Sequence, residues 1–493
     1  MAVKPEQLFD RVVEWDALVS FATRPIASAQ LGIVSGRRRM GKTYLLRALV
    51  ERLGGFYFGA TTATGQESLR QFGAALSDFT GAEVPISFEN WDHAITYMFG
   101  LGAGNRAESP TLVVIDEFPY LVRAVPELPS LIQREIDRYQ TESSGIRMLL
   151  CGSAMSVMGG LLASSAPLRG RAQLELVVRP FGYRDAAKFW GVARDPALAV
   201  RLHAVLGGTP AYRRQFLADD VPASVAEFDS WLCRTVLSPL SPLFREARYL
   251  LAEEAEIRDT ALYHSVLAAV AQGNSTRGGI AGYIGRKAVD ISHPLTVLED
   301  CHLLVREPDM FRSGKSLYRI AEPLITFYEA IMRPAWARLE SGQAEQVWAR
   351  SAERFSAQVA GPHFEAICRE FVLRDGVDLL GSDAVFGDIG CGVVTDSKTR
   401  QQIQVDVAVR QAGSGGRRAA VSLIGESKWG VTMGVNHLDR LVRARELLAG
   451  AGLDVSGCRL ACFSGAGFST SLRERAALDS DVLLIGLPEL YGQ

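Results

Sequence analysis

Between Leu31 and about Arg179 the chain alternates short apolar runs with longer stretches in which apolar residues recur at three- and four-residue spacing. The runs are "LGIVS", "GFYFG", "TLVVID", "RMLLCG" and "QLELVV". Short apolar runs between turn residues predict buried strands, and the spacing between them predicts helices, so residues 1–179 read as an α/β domain with a largely parallel sheet. Pro180 ends the last of these strands. "YRDAAKFWGVARDPALAVRLHAVLGGTPAYRRQFLA" then keeps helical spacing without alternation, which predicts a helical subdomain over 180–245. Over 246–333 three short helices precede a hairpin, "CHLLVREPDMFRSGKSLYRIA", with Ser313 and Gly314 in its turn, the outline of a winged helix. The charged helical stretch 334–355 is expected to be a linker. Over 356–493 the helix "GPHFEAICREFVLRDG" leads into two strand-like runs around a Gly-rich turn, then a helix and the strands "RLACFSG" and "DVLLIGL". This predicts a second α/β domain.

Length agrees with this division, since 493 residues exceed what one hydrophobic core supports. A composition of 48% apolar and 22% charged residues is that of folded domains and excludes a disordered or fibrous chain. The net charge of −2 provides no global attraction to nucleic acid, so any such contact must be a local basic patch. Seven scattered cysteines without a C-x-x-C pair argue against a disulfide framework or a structural zinc. Cys458 and Cys462 read as small buried residues. No apolar leader and no run long enough to span a bilayer is present, so the expectation is a cytoplasmic protein with no membrane partner.

Candidate chemistry begins at Gly36, which with Gly41, Lys42 and Thr43 fits G-x-x-x-x-G-K-[ST] after a strand and before a helix. Backbone N–H groups from Gly36 through Arg39, Met40, Gly41 and Tyr44 can surround phosphates, with Lys42 reaching the β/γ oxygens and Thr43 a Mg²⁺. The cofactors expected are therefore ATP and Mg²⁺. Asp116 and Glu117 end the buried run "TLVVIDEF", which delivers both carboxylates to the strand edge where ligands bind. Asp116 is the partner for the Mg²⁺ shell and Glu117 the group that orients or deprotonates the attacking water. Ser153, after "RMLLCG", either senses the γ-phosphate or caps the next helix. Arg169 and Arg171 could supply transition-state charge to a neighbouring subunit, which would require a homo-oligomer. Arg37, Arg38 and Arg39 cannot all face the phosphates. Salt bridging or contact with loop, lid or neighbouring subunit is the alternative.

The segments "GRRRMGKT", "VVIDEFPYL", "LLCGSAMSVM", "PLRGR" and "GGTPAYRR", in this order, resemble the archaeal-type ATPases, a P-loop family of the AAA+/STAND group that also occurs in bacteria. The resemblance implies an AAA+-like core, a lid whose Gly208 and Pro210 lie close to the nucleotide, "LFDRVVEWDAL" flanking the base, and a winged helix after the lid. The carboxy-terminal part resembles a domain of unknown function often appended to these ATPases, which looks like the PD-(D/E)XK restriction-endonuclease-like fold. Its matching residues are Asp406 in "IQVDVAV" and Glu426 and Lys428 in "IGESKWG". Residues two apart in a strand share a face, so Glu426 and Lys428 point together. Asp406 alongside would make a two-carboxylate Mg²⁺ site with a lysine beside the attacking water, and Glu365 is a fourth candidate. Gln404 stands where an acid is frequent in that domain.

The winged helix would offer Arg277, Arg286 and Lys287, and its wing Arg312 and Lys315, to DNA. Three functions follow: an ATPase coupled to a nuclease-like domain acting on DNA, a nucleotide-dependent switch whose end domains only bind DNA or protein, and a transcription regulator using the winged helix.

Overall fold

The computed structural model describes residues 2–102, 110–141, 144–163, 165–252, 259–380, 387–396, 401–411 and 419–493. Strands β1 (Gln30–Ser35), β2 (Phe56–Gly59), β3 (Thr111–Asp116), β4 (Ile146–Gly152) and β5 (Ala172–Val177) form one sheet in the order β2-β3-β4-β1-β5, with every pairing parallel. All five runs read as strands in the sequence are present. Ile33, Val113, Ile115, Met148 and Leu150 pack on one face, and Val34, Leu112, Val114, Leu149 and Cys151 on the other. Two covered faces explain why these strands are continuously apolar instead of alternating. The register sets Ser35 beside Gly152 and Gly59 beside Asp116, so Gly36, Glu117 and Ser153 emerge at one sheet edge.

The helices Tyr183–Trp190, Pro196–Leu206, Phe228–Arg234 and Leu243–Ala252 share a core with Phe327, Leu339, Trp348 and Phe355. The segment 334–355 is therefore not a free linker. Its helices Trp336–Glu340 and Ala344–Ala349 bury an apolar stripe on the lid, with the Trp336 and Phe244 rings stacked 4.3 Å apart. His203 in the lid and His363 in the helix Gly361–Leu380 face each other with ring nitrogens 2.8 Å apart. Burial lowers the pKa of both, that of His203 to about 4.

Helices Thr260–Ala271, Arg277–Ile284 and Ser292–Asp300 precede the antiparallel hairpin β6 (Leu304–Pro308) and β7 (Ser316–Ile320). This unit is not free of its neighbours. Helix Ser292–Asp300 packs on the helix Met155–Gly160 of the first domain. The hairpin tip docks on the last domain, where the Met310 N–H donates to the Cys391 carbonyl at 3.0 Å.

The last domain holds β8 (Asp388–Thr395), β9 (Gln402–Gln411), β10 (Ala420–Lys428), β11 (Arg459–Ser464) and β12 (Val482–Ile485), in the order β12-β11-β10-β9-β8. β8, β9 and β10 pair antiparallel; β10, β11 and β12 pair parallel. Helix Gly361–Leu380 covers one face through Phe364, Phe371 and Val407, and helix Val435–Gly450 the other through Leu438, Leu441 and Ile424. The Gly-rich turn expected between the two runs falls at 412–418, outside the described residues. Strand β8 was not expected, because "DIGCGVVT" lacks an apolar run. Its Gly392 serves the docking, since a Cβ there would sit 2.7 Å from the Phe311 ring and 2.9 Å from an Asp309 oxygen. No helix among the described residues is long and apolar enough to cross a membrane.

Candidate nucleotide site and a second acidic pocket

The loop leaving β1 runs into the helix Lys42–Leu53, whose N-cap, Gly41, offers no side-chain cap, so the first amide N–H groups of the helix stay open to a ligand. Lys42 is buried and donates from Nζ to the Gly36 carbonyl at 2.6 Å and the Arg37 carbonyl at 2.9 Å. Desolvation lowers its pKa, against the pull of Cys151, Glu117 and Asp116. Thr43 Oγ1 donates to Asp116 Oδ2 at 2.7 Å, as does the Tyr57 hydroxyl at 2.8 Å. Asp116 Oδ1 accepts the Glu117 N–H at 2.9 Å. Glu117 has φ 53°, an uncommon conformation for a residue with a Cβ, and its carboxylate accepts from Ser153 Oγ at 2.9 and 3.1 Å. The capping alternative for Ser153 is not met: the next helix, Met155–Gly160, has Ala154 at its N-cap and no side-chain cap.

Met40 and Tyr44 reach the site only through backbone, since the Met40 side chain lies in the core and the Tyr44 ring is half exposed. Arg39 was expected to meet the cofactor through its backbone N–H; its guanidinium meets Glu246 at 2.7 Å and lies over the Phe216 ring. Arg37 pairs with Glu322, and Arg38 donates to the Tyr120 hydroxyl at 2.7 Å. Pro210 has its Cγ 4.0 Å from where Gly41 would carry a Cβ. Gly208 cannot be replaced, because a Cβ there would sit 1.9 Å from the Phe181 carbonyl oxygen. In the lead-in segment Phe9 packs on Phe181, and Arg11 Nη2 donates to the Met40 carbonyl at 3.2 Å. Arg171 is at the opposite edge, next to Ala172, which pairs with Leu31 at the start of β1. There it bridges to Asp137 at 2.6 and 2.7 Å, too far round the sheet to serve its own chain's loop.

In the last domain Val407 lies opposite Gly425, so Asp406 and Glu426 are the next cross-strand pair. Asp406 Oδ2 accepts from the Ser427 N–H at 2.9 Å, and Oδ1 from the Gln404 amide at 3.1 Å. Glu426 Oε1 lies 3.0 Å from Lys428 Nζ and 3.6 Å from Arg440. Neither carboxylate oxygen has an aligned hydrogen bond, so the Lys428 contact is one of charge, and Oε2 is a buried acceptor without a partner. Burial, reinforced by Asp406, pushes the Glu365 carboxyl up to about 7. Asp406 is also raised, by burial first, against the Ser427 N–H and Lys428. The orphaned Glu426 oxygen and two hard carboxylates fit a divalent cation. Glu365 does not complete a set: among the described residues no three or more His, Cys, Asp or Glu side chains stand so as to hold one metal ion.

Tyr57, Glu246 and Glu322 were missed in the sequence. Tyr57 stands in the run "GFYFG" among apolar neighbours, and Glu246 interrupts the apolar stripe of "LFREARYLLA"; a polar residue on a core-facing position was the available signal. Glu322 carried none.

Residues 8–195 match the family model of an ATPase domain predominantly from Archaea. A curated relative, an uncharacterized protein of Methanocaldococcus jannaschii, is 26% identical over 348 residues, 69% of this chain and 72% of the relative. Among solved structures, a Walker-type ATPase of Pyrococcus abyssi is 19% identical with a TM-score of 0.48, covering 66% of this chain and 97% of that one. The ORC2 protein of Aeropyrum pernix, in its ADPNP–ADP complexes, is 16% identical with a TM-score of 0.41, covering 71% and 97%. Residues 8–195, which carry this match to an archaeal-type ATPase domain, hold the parallel α/β core and the loop between Gly36 and Lys42.

Proposed function

We propose that the chain is a Mg-ATP-hydrolysing machine that relays the state of its phosphate loop to the carboxy-terminal domain. The observation that carries this is the convergence of Lys42, Thr43, Asp116, Glu117 and Ser153 at one sheet edge, through 2.7 Å between Thr43 and Asp116 and 2.9 Å between Ser153 and Glu117. Thr43 and Asp116 would hold the Mg²⁺, which when bound supplies charge neutralisation to the β and γ phosphates. Lys42 exchanges its two carbonyl partners for phosphate oxygens. Its lowered pKa reports a desolvated site in which an ammonium acts strongly on an anion. Glu117, aimed by Ser153, takes the proton of the attacking water. Arg171, at the other edge, would act only on a neighbouring subunit's nucleotide. Gly208 and Pro210 close the lid over the loop. In hydrolysis assays Lys42→Ala should abolish turnover and weaken ATP binding; parental turnover in this variant would sink the reading.

For the last domain, a helix before three antiparallel strands and a crossover to parallel β11 support the PD-(D/E)XK-like reading. Asp406, Glu426 and Lys428 are its active residues, with Glu365 as a proton-holding neighbour. One feature favours a second reading, a switch whose end domain binds without cutting: Asp406 already accepts from Ser427 and Gln404. The docked three-helix and hairpin unit, as a winged helix, then connects domains instead of gripping DNA. Mg²⁺- or Mn²⁺-dependent DNA cleavage lost in Asp406→Ala supports the nuclease; no cleavage above that variant supports the switch.

A further inference from the structure

Two buried carboxylates from outside the matched ATPase domain pair with arginines of the loop after β1. Glu322, directly after β7, pairs with Arg37, and Glu246, in the lid helix Leu243–Ala252, pairs with Arg39. Both carboxylates are almost fully buried, at 1% exposure each, and Arg37 is buried with them. Both lie beyond residues 8–195. Tyr212, two residues after Pro210 and fully buried, sits within electrostatic reach of all four charges, and burial with the two carboxylates pushes its pKa upward. The loop, the lid and the hairpin unit therefore meet at one charged cluster under the nucleotide edge.

Each pair acts on a different part of the loop. The Arg37 carbonyl accepts from Lys42 Nζ at 2.9 Å, so anchoring the Arg37 side chain anchors the peptide that places the lysine. Arg39 has φ 69°, a left-handed conformation that a residue with a Cβ keeps only when its surroundings over-determine it. Its contacts with Glu246 and the Phe216 ring, 5.2 Å from the guanidinium carbon, supply that constraint. A buried carboxylate without its cation is strongly disfavoured, so each pair stays closed only while lid and hairpin unit are docked on the core.

We infer that Glu246 and Glu322 are positioning residues for nucleotide binding: through Arg39 and Arg37 they set the phosphate loop from the lid and the hairpin unit, making its geometry a reporter of domain docking. This rests on the ATPase reading above. The test uses the full chain and reads ADP affinity by calorimetry, the thermal midpoint, and KM and kcat for ATP. In Glu322→Gln and Glu246→Gln the ADP Kd and the ATP KM should rise about tenfold with kcat within about threefold, because the loop is displaced while Glu117 and Ser153 are untouched. Glu322→Asp should recover part of the affinity. Since a single change can unfold the cluster, Arg37→Met combined with Glu322→Leu keeps its volume without charge, and it should fold yet still bind ADP about tenfold more weakly. Parental ADP affinity in that double variant, or in folded Glu322→Gln and Glu246→Gln, would overturn the inference. A parent chain that binds no nucleotide would instead overturn the ATPase reading.

Discussion

At the edge of the first sheet Asp116 has its oxygens covered by Thr43, Tyr57 and the Glu117 N–H, and a lysine and open helix amides stand across the loop. In the last sheet Asp406 faces two more buried carboxylates, and Glu426 keeps an oxygen without a partner. Both pockets bury strand-borne acids, Asp116 at the end of β3 and Asp406 within β9. The first surrounds them with donors and a backbone cradle, so it is preformed for an anion carrying its own cation. The second leaves carboxylates to repel one another, and a proton on Glu365 relieves what a metal would otherwise relieve.

The largest effect that tests this contrast is on turnover. Glu117→Gln should lower ATP hydrolysis by about 10²–10⁴-fold while ATP still binds, as expected on removing a general base. Glu426→Gln should leave hydrolysis within about twofold, since distant sites without shared partners act independently. Equal losses in both would merge the two pockets into one mechanism.

A smaller effect is on stability against pH. Glu365 has a folded pKa of about 7, above its unfolded value, so the folded state holds the extra proton and stability falls as pH rises from the ordinary carboxylate range through about 7. The penalty above that is on the order of 3 kcal/mol, and Glu365→Gln should remove it, raising the thermal midpoint at pH 8 but not at pH 4.5. Added Mg²⁺ should stabilise the parent at pH 8 and Glu365→Gln less. The buried pair His203 and His363 has the opposite sign. Its folded pKa values lie below the unfolded value, so its contribution is complete above about 6.5 and is lost as pH falls toward 4. A double replacement by apolar residues should flatten the acid limb alone. An unchanged acid limb would place the acid sensitivity elsewhere.

The smallest expected effect concerns the hairpin. Arg312 meets Asp309 at 2.7 Å and Lys315 is exposed at the tip. Arg312→Ala with Lys315→Ala should change DNA affinity less than about threefold, because the Arg312 charge is already paired with the buried Asp309 carboxylate. A tenfold loss with a shallower salt dependence would show that the hairpin leaves β8 to meet a phosphate backbone.

Much of the first domain could be read directly. The runs around Leu31, Phe56, Thr111, Arg147 and Gln173 became strands because a sheet covered on both faces demands uninterrupted apolar residues, and Gly36 to Gly41 became a loop because strand, glycines and helix follow in order. Strand β8 escaped, since Gly390, Cys391 and Gly392 replace bulky residues where the hairpin presses close. The segment 334–355 escaped differently. Its charges suggested a solvated connector, yet Trp336, Leu339 and Trp348 share a face that the lid buries. In the last domain Asp406, Glu426 and Lys428 lie together on β9 and β10, and Glu365 comes near them without completing a metal set among the described residues.

What the sequence alone determined was local: which strands are buried, where the chain turns, and that a lysine, a threonine and two acids come to one sheet edge. Such features depend on neighbours a few residues apart, so periodicity and spacing record them. The fate of Arg37, Arg38 and Arg39 was decided only by the tertiary structure. Three adjacent cations find three partners, Glu322, Tyr120 and Glu246, on different elements, the farthest 285 residues along the chain. A buried ion pair forms where folding brings opposite charges together out of water, and no spacing in the sequence records that meeting.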